Sequence, residues 1–399
     1  MKANWTMESK LDGRAAMDKS WGSVILSGGK GRRMGYEDKS GLSYRGETFL
    51  EAISRQLGML GGACYLSRAA YKAGEAHHGF TVIEDTVKGK DGEWIGPMGG
   101  IWSCFERTGE DCLFFVSCDM PMFRSVMAER LLGYMKPGVD VVLWRTRQGR
   151  IQPMCGLYSR SCVPVLRQHM EQQDYRMMGL LDHLECVVVE TSKEHIPDQW
   201  FMNVNTPEIY GKLKQITPSV LAVSGSKNTG KTWLLEHLVS MLSRSGVRVA
   251  VIKHDGHEFE ADVPGTDSHR MKKAGAFGTV VYSGSQYALV KSQAGMEAGD
   301  FFGFFPEADL ILLEGQKYSS CPKIEVLRQE TSCSPVCRPQ TVLAYVADCQ
   351  VDQEGAKEPR RVFTFDQMDE VAELVIGHMD GGTALTADGG VYRCLEWNR

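Results

Sequence analysis

The chain has 399 residues, too many for one ordinary core, so two or three domains are expected. A hydrophobic share of 43% and a charged share of 24% are those of a globular protein. A net charge of -5 argues for neither a nucleic-acid nor a membrane-surface partner.

Residues 1–20, "MKANWTMESKLDGRAAMDKS", lack the apolar centre of a signal peptide and read as a polar extension. No apolar run reaches the roughly 20 residues of a membrane-spanning helix. The 12 cysteines form no CxxC pair, and the CxxxC pair Cys333 and Cys337 has no second pair to complete a zinc site. Reduced thiols and a cytoplasmic location are the expectation.

From residue 22 short apolar runs alternate with helical stretches. "SVIL" (23–26), "FTVIED" (80–85), "CLFFVS" (112–117), "DVVLWR" (140–145) and "CVVVE" (186–190) read as strands apolar on both faces. Helices are expected over 48–60, 99–108, 125–135 and through "VPVLRQHMEQQ". Such alternation implies a doubly wound α/β sheet. "NVNTPEIYGKLK" (203–214) starts a helix, with Thr206 as N-cap, Pro207 at the first position and Glu208 in the first turn. It closes a first domain over 21–214, and 215–219, with Pro218, reads as a linker.

A second α/β domain is expected over 220–399. "VLAVSG" (220–225) is its first strand, and the helix over 232–246 carries Leu234, Leu235, Leu238 and Leu242 on one face and stops at Gly246. "VRVAVIK" (247–253), "DLILLEG" (309–315) and "TVLAYVAD" (341–348) are further strands. The tail reads as a hairpin turning at Asp388-Gly389-Gly390.

Two glycine-rich loops carry the chemistry. Residues 225–232, "GSKNTGKT", fit GxxxxGK followed by Ser or Thr, between a strand and a helix. Gly225 and Gly230 let the backbone curl round phosphate oxygens, Asn228 is a further nucleotide-binding candidate in the loop, Lys231 brings charge to the terminal phosphates and Thr232 offers Mg²⁺ a hydroxyl. Glu314 ends its strand on the ligand side and is the metal-side acid expected here, whereas Asp309 starts that strand at the wrong end. Lys253, His254, His257, Asp262 and Asp267 follow a strand as a loop over the triphosphate. Zinc on His254 and His257 is the weaker alternative.

The first loop, "LSGGKGRRMGYEDK" (26–39), has another design. Gly28 and Gly29, beside Leu26, bring backbone close to a nucleotide, Arg32 and Arg33 can meet a triphosphate, and Lys39 can reach the α-phosphate. The alternative is a basic surface loop. Asp119, just past "FFVSC", can hold Mg²⁺ on the phosphates. Asp85 ends another strand, and "GPMGG" (96–100) allows close approach to a base.

These residues also carry resemblances. "LSGGKGRRMGYEDK", "GPMGG", "CDMP" and "NVNTPE" resemble the MobA family of molybdenum cofactor guanylyltransferases over about 21–214. The departures are Ser27 for Ala, Tyr36 for Gly and Met98-Gly99 for Leu-Ala. "GSKNTGKT", "KHDGHEFEADVPGTDSHR" and "LLEGQKYSSCPKIEVLR" resemble MobB, GTP-binding accessory proteins of the same synthesis, over about 220–375. Gln316 stands there where an aromatic residue is commoner. The resemblance implies a fusion of a Rossmann-like nucleotidyltransferase sheet with a P-loop NTPase-like sheet. It implies that Gly28, Gly29, Lys39, Asp85 and Asp119 serve GTP and Mg²⁺, that Asn203 and Asn205 lie towards the pterin, and that Lys39, Asp119 and Arg33 carry catalysis. Implied partners are GTP, molybdopterin, a molybdenum insertion protein and apo-molybdoenzymes or their chaperones, with the oligomeric state open. Cytidylyl transfer, sugar-1-phosphate nucleotidyl transfer and a non-catalytic GTP-dependent carrier remain as rival readings.

Overall fold

The computed structural model describes residues 5–6, 20–27, 41–69, 79–90, 92–255, 259–353, 359–381, 384–385 and 391–392. The chain packs as two compact units. One comprises residues 1–216 with 244–246 and 372–381, the other 217–243 with 247–371 and 382–399.

The first unit is built on an eight-stranded sheet. In chain order its elements are β1 Trp5–Thr6, β2 Trp21–Ser27, the short pair β3 Ser43–Tyr44 and β4 Glu47–Thr48, α1 Phe49–Gly58, β5 Ala63–Ala69, β6 Thr81–Asp85, α2 Pro97–Arg107, β7 Cys112–Ser117, α3 Ser125–Leu132, β8 Val141–Arg145, β9 Ile151–Ser159, α4 Val163–Glu171, α5 Met177–Leu181, β10 Cys186–Glu190 and α6 Pro207–Lys214. The sheet order is β1-β10-β8-β9-β7-β2-β5-β6. Strand β9 runs antiparallel to both β7 and β8, and the other neighbours are parallel. The reason is chain length: residues 146–150 are too few for a crossover and can only make a hairpin. On β9, a Cβ at Gly156 would lie 2.5 Å from Leu143 Cδ2 and 3.2 Å from the Val142 carbonyl, so any side chain there would have to displace Leu143.

Two strands of this sheet were not expected. Trp5–Thr6, inside the stretch read as a polar extension, pairs with Cys186 and Val187 at the sheet edge. Strand β5 lies between β2 and β6, but Ser67 and Arg68 interrupt its apolar run and hide it from pattern reading. The core gathers Val24, Phe115 and Leu143 from strands with Met98, Ile101 and Phe105 of α2 and Leu166 of α4. Helix α1 starts as the sequence dictates: Glu51 N donates to Thr48 Oγ1 (3.2 Å) and Thr48 N to the Glu51 carboxylate (2.8 Å).

From Ser219 onward the elements are β11 Ser219–Ser224, α7 Lys231–Arg244, β12 Val249–Lys253, α8 Asp267–Lys273, β13 Gly278–Tyr282, β14 Tyr287–Lys291, β15 Leu310–Glu314, β16 Lys323–Leu327, β17 Val342–Ala347, β18 Arg361–Phe363, α9 Met368–Gly381, β19 Ala384–Leu385 and β20 Val391–Tyr392. Six strands form one wholly parallel sheet, β12-β15-β11-β16-β17-β18. Strands β13 and β14 form a separate antiparallel ribbon. Leu221, Val223, Ile311 and Leu313 are buried, and the four leucines expected on one face of α7 are all buried too. Strands β19 and β20 pair antiparallel as the expected hairpin, and its Asp388-Gly389-Gly390 turn lies outside the described residues.

The expectation of reduced thiols is corrected at one place. Cys333 is bonded to Cys349, which ties the segment after β16 to the end of β17. Spacing could not disclose this pair, because the two cysteines meet only when β16 and β17 lie side by side. Among the described residues, no helix is long and apolar enough to cross a membrane.

Candidate functional site

In the first unit the carboxyl ends of β2 and β7 lie side by side, where ligands bind in open α/β sheets. The backbone joins them: Cys118 N donates to the Leu26 carbonyl at 3.0 Å. Asp119 follows at once and is nearly buried. Its carbonyl accepts from Val204 N at 2.8 Å, which seats the Asn203–Asn205 segment beside the Asp119 turn. The Asn203 amide donates to the Phe201 carbonyl at 3.0 Å and fixes that bend. Leu26, Asp119, Asn203 and Asn205, taken from three distant stretches, thus come to one end of the sheet. Gly28, Gly29, Arg32, Arg33 and Lys39 lie outside the described residues.

Asp85 stands apart from this group. Strands β2 and β5 lie between β7 and β6, so it is three strand spacings from Asp119, about 14 Å. Its carboxylate accepts from Val87 N (3.0 Å) and Ser103 Oγ (3.2 Å). Burial pushes this carboxyl above its usual range, opposed by those two hydrogen bonds and by the Arg107 charge. Gly99 and Gly100 of "GPMGG" serve close packing here. A Cβ on Gly99 would sit 3.0 Å from Asp85 Oδ2, and one on Gly100 would sit 2.9 Å from Leu26 Cδ2. Arg68, buried at the end of β5, is a cation that pattern reading missed because it sits inside a strand.

In the second unit the loop between β11 and α7 has the backbone of a phosphate cradle. Gly225 (φ 137°), Asn228 (φ 64°) and Gly230 (φ 95°) lie in the left-handed region. A Cβ at Gly225 would collide with the Val326 carbonyl of β16. Lys231 Nζ donates to the Ser226 carbonyl at 2.5 Å, and burial lowers its pKa, against the raising influence of Glu314. Thr232 Oγ1 donates to Glu314 Oε1 at 3.0 Å, and Lys253 Nζ lies 3.5 Å from Glu314 Oε2. Gly225, Asn228, Gly230, Lys231, Thr232 and Glu314 are therefore one constellation. A hydroxyl beside a carboxylate is the hard-oxygen donor set that suits Mg²⁺.

The rest of the expected triphosphate loop is partly local architecture. Asp262 accepts from Val263 N and Ser268 Oγ and helps to start α8, and Asp267 is in the first turn of that helix. His257 lies outside the described residues. Asp309 binds Arg248 at the opposite end of β15, as its place in the sequence suggests.

Lys323 and Glu325 on β16 are fully buried and were not foreseen. Lys323 Nζ donates to the carbonyls of Ser319 (2.8 Å) and Gln316 (3.3 Å) and so holds the loop after Glu314. Glu325 accepts from Val336 N (2.6 Å) and Cys337 N (3.2 Å). The sequence signal was two charges in a five-residue strand, "KIEVL".

Comparison with known proteins matches residues 23–215 to the family model described as a MobA-like NTP transferase domain. Residues 220–348 match the model of molybdopterin guanine dinucleotide synthesis protein B. A probable molybdenum cofactor guanylyltransferase of Bacillus cytotoxicus is 28% identical over 49% of this chain and 96% of its own length. The molybdopterin-guanine dinucleotide biosynthesis adapter protein of Escherichia coli is 36% identical over 29% of this chain and 69% of its own. A structure of molybdopterin-guanine dinucleotide biosynthesis protein A from Archaeoglobus fulgidus covers 49% of this chain and 97% of that one, at 21% identity and a TM-score of 0.42. By the two family-model matches and the adapter-protein relative, the chain belongs to the MobB family and carries a MobA-like NTP transferase domain ahead of it in one polypeptide.

Proposed function

We propose that the chain is a molybdenum cofactor guanylyltransferase whose second half is a GTP-binding accessory module with its own GTPase capacity. The observation that carries this is the convergence of Leu26, Asp119 and the Asn203–Asn205 segment at the carboxyl end of the first sheet. The domain bounds 21–214 and 220–399 follow this division of labour.

The terminal phosphate of molybdopterin attacks the α-phosphorus of GTP. A new P–O–P bond forms, the bond from the α-phosphorus to the bridging oxygen breaks, and pyrophosphate leaves with that oxygen. A phosphate is already a nucleophile, so the protein positions the partners and stabilises charge and needs no strong base. Leu26, Gly28 and Gly29 seat the nucleotide, Lys39 and Arg33 face its phosphates, and Asn203 and Asn205 hold the pterin side. Asp119 would hold Mg²⁺, which offsets charge on the leaving pyrophosphate when bound. Asp85, set apart and buried against α2, supports the nucleoside side of the pocket and not the metal. In the second half Thr232 and Glu314 would hold Mg²⁺, and Lys231 grips the β- and γ-phosphates. The product goes to apo-molybdoenzymes through a molybdenum insertion protein or a chaperone, in the cytoplasm.

The test is incubation of the full chain with molybdopterin, Mg²⁺ and GTP or CTP, reading pyrophosphate and the mass of the product. The expected result is the guanine dinucleotide from GTP. The cytosine dinucleotide would instead make the chain a cytidylyltransferase. GTP hydrolysis without dinucleotide would leave the carrier reading.

A further inference from the structure

The phosphate loop of the second unit fixes the direction in which a nucleotide must lie. Thr232 and Glu314 set the metal and terminal-phosphate end towards β15. The sheet order places β15 on one side of β11, with β16 and β17 on the other. The nucleoside, at the opposite end of the ligand, therefore crosses the carboxyl ends of β16 and β17.

A built wall stands there. Arg328, one residue past β16, lies over the Phe365 ring at 3.6 Å from its centre. A Cβ on Gly230 would be 3.5 Å from Arg328 Nη2 and 3.8 Å from Phe365 Cε1, so the wall adjoins the phosphate loop itself. Trp233, in the first turn of α7, meets Phe365 edge to face. Asp348, one residue past β17, accepts from Gln329 N at 2.7 Å and from Arg328 Nη1 at 3.2 Å. The next residue, Cys349, is bonded to Cys333 and anchors the turn.

We propose that Asp348 is the specificity residue of the second nucleotide site and reads guanine. This rests on the reading of the second half as a GTP site. Guanine presents N1–H and the 2-amino group as adjacent donors, and a carboxylate offers two adjacent acceptors. Each Asp348 oxygen accepts one bond in the structure and keeps capacity for another. Adenine presents an acceptor at N1 and no 2-amino group, so it would face the carboxylate unpaired. Arg328 and the Gln329 amide position the carboxylate by a charge-assisted and a backbone hydrogen bond.

The test is calorimetric binding of GTP, XTP and ATP to the full chain and to Asp348→Asn, with Lys231→Ala identifying the component that belongs to the second site. In the wild type that component prefers GTP. In Asp348→Asn it weakens for GTP by about 10²-fold, the scale of losing paired polar contacts to a substrate, and gains XTP, whose 2-carbonyl accepts from the new amide. Asp348→Glu, which keeps the carboxylate, keeps the preference for GTP over XTP. An unchanged ranking in Asp348→Asn overturns the assignment. So does loss of all nucleotide binding in both variants, which would give Asp348 a folding role only. If the wild type shows no component sensitive to Lys231→Ala, the GTP reading of the second half fails and the assignment falls with it.

Discussion

At the scale of single residues, Asp119 is the most informative position in the first unit. Its main chain serves the fold, through the bond from Val204 N, and an amide in place of its carboxylate would keep the size of the side chain at the sheet end. Asp119→Asn should therefore keep the fold. It should raise the Mg²⁺ needed for half-maximal pyrophosphate release by about tenfold or more, because a hard cation loses an anionic oxygen. A Mg²⁺ titration decides this, and a curve identical to wild type would make Asp119 a turn residue. The position was legible because a carboxylate directly after a buried apolar run can only be at the strand's end. Its neighbours Asn203 and Asn205 were placed by resemblance alone, since 84 residues of chain separate Asn203 from Asp119 and only the folded sheet joins them.

Among the elements, β16 does the most beyond pairing. It lies against β11, it closes off the space beside Gly225, and its two buried charges hold the loops on either side. Gly225→Ala would combine a Cβ against the Val326 carbonyl with φ 137°. It should destabilise the second unit by about 1–3 kcal/mol. Denaturant unfolding followed by Trp233 fluorescence reads this directly, and an unshifted midpoint would mean that the loop relaxes freely. In the first unit Arg160 has a comparable duty, donating to the carbonyls of Phe105 (2.6 Å), Thr108 (2.8 Å) and Glu110 (2.7 Å) at the end of α2. Arg160→Ala leaves those acceptors without their donor and should cost about 2–3 kcal/mol. Thermal unfolding with unchanged substrate affinity would be the signature.

For the whole molecule, the question is why one chain carries two nucleotide loops. The loops differ in design and sit in different units, so they should act on different molecules of GTP. Lys231→Ala should abolish GTP hydrolysis in the second half, since it removes the cation that meets the β- and γ-phosphates. Guanylyl transfer to free molybdopterin should persist at the wild-type rate. Measuring dinucleotide and inorganic phosphate in the same reaction separates the two activities. If transfer falls together with hydrolysis, the two sites work as one.

The phosphate loop, the strand-helix alternation and the leucine face of α7 were determined by the sequence itself. Each depends on neighbours within about one helix or one turn: glycines where φ is positive, a cap at a helix start, apolar residues at the helical period. Glu314 was expected at the ligand end of its strand, because strand ends in a parallel sheet face the same way; its bond from Thr232 was not. Tertiary structure alone decided the rest. The burial of Lys323 and Glu325, the Cys333–Cys349 bond and the meeting of Arg328 with Asp348 all need strands separated in sequence to lie adjacent. A charge or a thiol carries no local mark of what it will face. Its partner is fixed only when the sheet order is, and that order follows from burying both faces of the inner strands at once.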